Sequence, residues 1–173
     1  MSKKLIITVL SIGLIALISY YLLGGFNKAT YTVETKDTIE VYGVYYEGKI
    51  GSDTLREYFT QARTLVEENE QIEDIVIVYY GDVNPNNGQV RNFIGVNSNG
   101  NELNTFEGWS NRAVKSEASV KACIEANPLA MPTPEDMLSE LKEMALQKRL
   151  KPDTVFIEYY SGPNNLCVEL LTQ

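Results

Sequence analysis

Glu158 is the residue in this chain whose surroundings point most directly to chemistry. It sits in VFIEYYSG (155–162), an apolar run that ends in a Tyr-Tyr pair and a turn. Residues 75–82 read IVIVYYGD, the same pattern with Val78 where the later run has Glu158. A carboxylate in a slot that its twin fills with Val is costly to desolvate unless it is bonded or used. Tyr160, two residues on, shares its side of the strand. A carboxylate among aromatic rings attracts a delocalised cation, and each ring adds about 0.5–2 kcal/mol of cation–π energy. The same group can serve as a general base for water. The strand pattern alone also fits a Glu on the wet face; the repeat points to a pocket.

The other aromatic candidates are Tyr80, Tyr42 and Trp109. Tyr80 and Tyr160 are the leading tyrosines, on the expectation that Glu158's face and its mirror around Val78 line one cleft. Tyr45, Tyr46, Tyr79 and Tyr159 fit ordinary sheet packing. Trp109 is the only Trp. It lies near the junction of the two halves, where ligand stacking and plain packing are both open. Glu125 and Asp82 read as turn or surface acids.

The chain has no histidine. That excludes a Ser-His or Cys-His nucleophile and any His-ligated metal. Two cysteines, Cys123 and Cys167, are too few for a structural zinc site, so no metal or cofactor is expected. Cys123 has no base to activate it. The pair reads either as two small buried residues or, outside the cytoplasm, as a disulfide. The formal net charge is −8, and the first 26 residues hold Lys3 and Lys4 and no acid, so the remainder carries −10. That argues against electrostatic binding to nucleic acid or to an anionic membrane surface.

Residues 1–26 read as a membrane element. From Leu5 to Leu23 there is no charge, and the run is long enough to span the hydrocarbon core. Tyr20 and Tyr21 sit at its far end, where interfacial aromatics are common. The length of the run and the lack of an A-x-A-like site favour a retained anchor over a cleaved signal peptide. Lys3 and Lys4 place the N-terminus in the cytoplasm and the rest of the chain outside.

Residues 27–37 are polar and read as a linker. The remainder, 38–173, reads as strand-helix-strand-strand twice, in modules of about 38–100 and 101–173. The strands are Thr38–Tyr46, Ile72–Tyr80 and Gln89–Asn97, then Ala118–Glu125, Val155–Tyr160 and Leu166–Leu171. One helix starts at Ser52 or Asp53 and runs to about Asn69, with Leu55, Phe59, Ala62, Leu65 and Val66 at helical spacing. The other starts at Thr133-Pro134-Glu135-Asp136 and stops before Pro152. The fold class is α+β: two modules related by a pseudo-two-fold, an antiparallel sheet with helices packed on one face, and one transmembrane helix in front.

This plan, with YYGD and EYYSGP at the hairpins, resembles the GyrI-like small-molecule-binding domain, the effector-binding domain of multidrug-sensing regulators. The resemblance covers 38–173 and rests on Ile157-Glu158-Tyr159-Tyr160-Ser161-Gly162-Pro163 and Ile77-Val78-Tyr79-Tyr80-Gly81-Asp82. It implies a cleft between the modules with an aromatic lining and a Glu at its floor, here Glu158. It implies bulky apolar or cationic ligands, and in a hydrolase branch, water attack on cyclopropane-bearing compounds. No helix-turn-helix segment is present. The expected function is therefore a membrane-tethered domain that captures such ligands, with Glu158, Tyr160, Tyr80, Trp109 and Tyr42 around them. The alternatives are a hydrolase using Glu158, or a protein-interaction module with a closed pocket.

Overall fold

The computed structural model describes residues 3–81, 88–98, 103 and 106–173. Its elements are α1 (Lys3–Leu22), β1 (Thr30–Lys49), α2 (Asp53–Glu68), β2 (Ile75–Tyr80), β3 (Gln89–Asn97), β4 (Ser110–Glu125), α3 (Pro134–Gln147), β5 (Pro152–Tyr160) and β6 (Asn165–Thr172). Asp82 lies outside the described residues.

The chain is α+β, and every strand pair is antiparallel. The sheet closes on itself in the order β1-β3-β2-β5-β6-β4. Closure was not expected from the sequence, and its cause is the length of β1. The strand begins at Thr30, so most of the stretch read as a linker is sheet. Its first part pairs with β4 from Thr30↔Cys123 to Gly43↔Ser110, and its last part pairs with β3 from Val41↔Asn97 to Lys49↔Gln89. Thr30, Thr32 and Thr35 are strand formers whose polarity reflects exposure rather than disorder. Gly43 stands opposite Gly95 where β1 changes partner. A Cβ on Gly95 would lie 1.9 Å from the Tyr42 carbonyl oxygen, so only glycine allows the strands this close. β4 likewise starts earlier than the expected Ala118, because its exposed first half carries Arg112, Lys115 and Glu117.

The helices begin where their caps dictate. Ser52 Oγ accepts from the Leu55 N–H at 3.1 Å. Thr133 and Asp136 form a reciprocal capping box with Pro134 in the first turn. α2 lies against β1, β2 and β3, and α3 against β4, β5 and β6. Leu55 and Phe59 of α2 and Met137, Leu138, Leu141 and Ala145 of α3 share one apolar cluster with Ile77, Tyr79, Phe156 and Val168. The opposite side of the strands, with Val76, Val78, Phe93, Ile157, Tyr159 and Leu171, forms a second cluster. Cys123 and Cys167, directly opposed in the β4–β6 register, are joined in a disulfide.

Leu5–Leu22 of α1 is long and apolar enough to cross a membrane, and none of that window is buried against the rest of the chain.

Candidate functional site

Strand alternation decides what Glu158 meets. On β5, Phe156, Glu158 and Tyr160 point toward the helices, while Ile157 and Tyr159 belong to the opposite cluster. The β2–β5 register sets Ile77 opposite Glu158 and Tyr79 opposite Phe156. Tyr79 and Phe156 stack at 4.5 Å between centroids and 5° between planes. Glu158 is 4% exposed. Its Oε2 accepts from the Tyr160 hydroxyl at 2.7 Å and from the Tyr79 hydroxyl at 3.3 Å. Both donors converge on Oε2, and no described residue donates to Oε1.

A cavity of 260 Å³ adjoins this carboxylate. Tyr79, Phe156 and Glu158 of the sheet form one wall, and Glu135, Leu138, Ser139 and Lys142 of α3 the other, with Ile50 at the rim. Glu135, Ser139 and Lys142 recur at helical spacing, so one stripe of α3 supplies all three. Two further cavities continue the groove. One of 250 Å³ touches Tyr79 and Phe59, and one of 560 Å³ touches Phe59 and Tyr160. The Phe59 and Tyr160 rings meet edge to face at 5.8 Å. Tyr79 thus stands between the first two spaces and Phe59 between the second and third, and rotating them would join the spaces.

The electrostatics follow from burial. Desolvation pushes the Glu158 carboxyl up to about 7; hydrogen bonds from Tyr160 and Tyr79 pull it back, and the charge of Glu135 adds to the rise. Burial, then the charge of Glu158, raises both Tyr79 and Tyr160, so each stays a neutral donor. Near neutral pH the site therefore interconverts between a carboxylic acid and a carboxylate. The ionised form can face a cation or take a proton from water.

The structure brings Glu158 and Tyr160 together as expected. It does not bring the other three candidates to them. Tyr80 is on the opposite side of the sheet, where Arg112 donates to its hydroxyl at 2.9 Å and Tyr45 lies 6.4 Å from its ring. Val78 is on that side too, opposite Ile157, so the mirror position by sequence is not the mirror position by face. Tyr42 and Trp109 pack on each other at 5.4 Å beneath α2, with the Trp109 Nε1–H donating to Gln61 and the Tyr42 hydroxyl accepting from the Phe106 N–H. Neither borders the Glu158 cavity.

Tyr79 is the aromatic that sequence reasoning passed over. Antiparallel pairing parity was its signal, since a residue opposite Phe156 must share the face of Glu158. A second buried carboxylate, Glu169, carried the same signal as Glu158: an acid inside an apolar run, LCVELLT. It is 1% exposed, accepts from the Tyr159 hydroxyl at 2.6 Å, and lies 3.9 Å from Lys121 Nζ. The β5–β6 hairpin thus carries a Tyr–Glu pair on each face, and the one facing α3 borders a cavity.

No family model matches this sequence, and no curated protein matches it. Solved structures do match. The fold is similar to that of an integron cassette protein from the mobile metagenome of Vibrio cholerae, with TM-score 0.55 and 9% identity over 85% of this chain and 99% of that one. It is similar to the C-terminal domain of EcmrR, with TM-score 0.55 and 10% identity over 85% of this chain and 98% of that domain. A hydrolase from Listeria innocua matches with TM-score 0.53 and 6% identity over 84% of this chain and 92% of that one. At such identities the likeness is one of fold.

Proposed function

We propose that this chain is a membrane-tethered domain that captures small molecules, apolar in body and cationic or strongly polarised at one point, in the groove between α2 and α3. One observation carries the reading: a buried carboxyl, one of whose oxygens takes no hydrogen bond from a described residue, adjoins a cavity with the Tyr79 and Phe156 rings in one wall. The sequence resemblance to GyrI-like domains supports it, because Glu158 is the residue matching the family's Glu. A 260 Å³ cavity holds a ligand of about one or two rings, just below the usual 300–1,000 Å³ of ligand pockets. A bulkier ligand would need Tyr79 to turn and open the adjoining space.

The test is dye displacement with a rhodamine-class cation on the full chain in nanodiscs, empty nanodiscs serving as the blank. Wild type should bind saturably, and Glu158→Gln should bind about tenfold or more weakly, the scale of one charge interaction in a partly buried site. Equal binding by both proteins would remove Glu158 from the site.

A second reading is a hydrolase. The placement of Glu158 near neutrality favours it, because a general base works best when its pKa lies close to the working pH. The two readings part on Glu158→Gln. A hydrolase would keep its substrate and lose product formation from a cyclopropane-bearing compound; a capture domain would form no product and lose its ligand.

A further inference from the structure

The end of α1 is docked onto the domain rather than hung from it. The Asn127 N–H donates to the Leu23 carbonyl at 2.9 Å, and the Asn27 side-chain amide donates to the Glu125 carbonyl at 2.6 Å. Gly24 takes a φ of +77° and lets Ala126 approach, with 3.4 Å between a Cβ built there and Ala126 Cα. Gly25 lies under the Tyr20 ring, 2.3 Å from where its Cβ would be. The segment that receives the helix, residues 126–134, holds no charge in a chain of net charge −8. Leu129, in its middle, is 88% exposed, which in water is an unfavourable place for a large apolar side chain.

Tyr20 sets the depth of this segment. It lies within the apolar span Leu5–Leu22, and it borders the same 660 Å³ cavity as Leu129, Met131 and Pro132. Tyr20 and Phe26 meet edge to face at 5.2 Å, and Tyr21 lies 6.4 Å from Phe26, an aromatic group of the kind that marks a membrane–water interface. A loop level with the last turn of a spanning helix is level with the headgroups.

We infer that the loop of residues 126–132 is a second membrane contact, with Leu129 entering the interfacial zone of the leaflet in which α1 ends. This rests on α1 spanning the bilayer. The contact is apolar, not electrostatic: Glu125 and Glu135 flank the loop, and Glu140 faces the same cavity as Lys28, so acids outnumber the one base there and anionic lipid does not strengthen it. Two contacts fix how the domain stands on the bilayer. Glu135, in the first turn of α3 just after the loop, borders the Glu158 cavity, so that cavity is held near the lipid surface.

The test uses the full chain in nanodiscs of phosphatidylcholine brominated high on its acyl chains. Trp109 is buried and gives the background in wild type; Leu129→Trp reports the loop, and Leu14→Trp reports the span. The added emission of Leu129→Trp should fall by about half or more, as for a ring seated at the headgroup–acyl boundary. It should fall equally with and without anionic lipid, and Leu14→Trp should also be quenched. Quenching at Leu14→Trp but none beyond Trp109 at Leu129→Trp would overturn the inference and leave the anchor standing. Quenching at neither position would overturn the anchor and the inference with it. Quenching at Leu129→Trp only with anionic lipid would overturn the apolar contact.

Discussion

A carboxyl that titrates near neutrality inside a fold makes the fold itself sensitive to pH. Glu158 ionises at about 7 in the folded chain and near 4.5 in the unfolded one, so between these values the folded state holds a proton that the unfolded state has lost. Stability is therefore greatest below the lower value and falls as pH rises through the upper one, by roughly 3 kcal/mol in all. Glu158→Gln should abolish that fall and melt higher than wild type at pH 8. A wild-type melting curve flat between pH 5 and 8 would contradict the burial of an ionisable Glu158. Tyr160→Phe removes a donor that favours the charged form, so the Glu158 midpoint should move up, readable by carboxyl-carbon NMR. Two-residue spacing in the sequence set Tyr160 on the side of Glu158, where the two are hydrogen-bonded. The faces of Tyr79 and Tyr80 were not legible, because a repeat aligned by letters carries no face parity across an antiparallel pair, and Val78 itself lies on the side away from Glu158.

Elements were legible where local chemistry fixes them. β3 begins and ends where its alternation says, and both helices start at their caps. Thr133→Ala should cost about 1 kcal/mol, up to 2, since it breaks both halves of the capping box that sets the stripe Glu135–Ser139–Lys142 against the sheet. A thermal melt in detergent reads it, and an unchanged melting temperature would mean that tertiary packing alone positions α3. β1 was misread because exposed Thr and Glu look like linker when their partner strand is distant in sequence. Its partners on β4 lie from 93 residues away at Thr30↔Cys123 to 67 at Gly43↔Ser110, and no local pattern announces such a contact.

The whole molecule is a closed sheet with a groove on its helix side, a disulfide between two of its strands and an apolar helix docked at one end. Closure through β1 and β4 leaves no long open sheet edge at that seam. The Cys123–Cys167 bond joins strands already paired, and replacing both cysteines by Ala should lower stability by about 2–4 kcal/mol without changing the strand order. No change in the melt would mean that the bond is absent in solution. The element order, strand-helix-strand-strand twice over, and the apolar N-terminal run were legible in pattern and composition. The docking of that run on residues 125–127 was not, since it depends on Gly24 and the Leu23 carbonyl meeting a loop about a hundred residues away.

If Glu158 is the charged floor of a ligand groove, binding of a cation must follow the titration of its carboxyl. Binding of rhodamine 6G to the full chain in nanodiscs, followed by anisotropy between pH 5.5 and 8.5, should strengthen about tenfold or more in all as pH rises to the Glu158 midpoint and level off above about 7. Glu158→Gln should give weak binding that does not change with pH. Binding that is flat across this range in wild type, or that rises identically in the variant, would contradict the account.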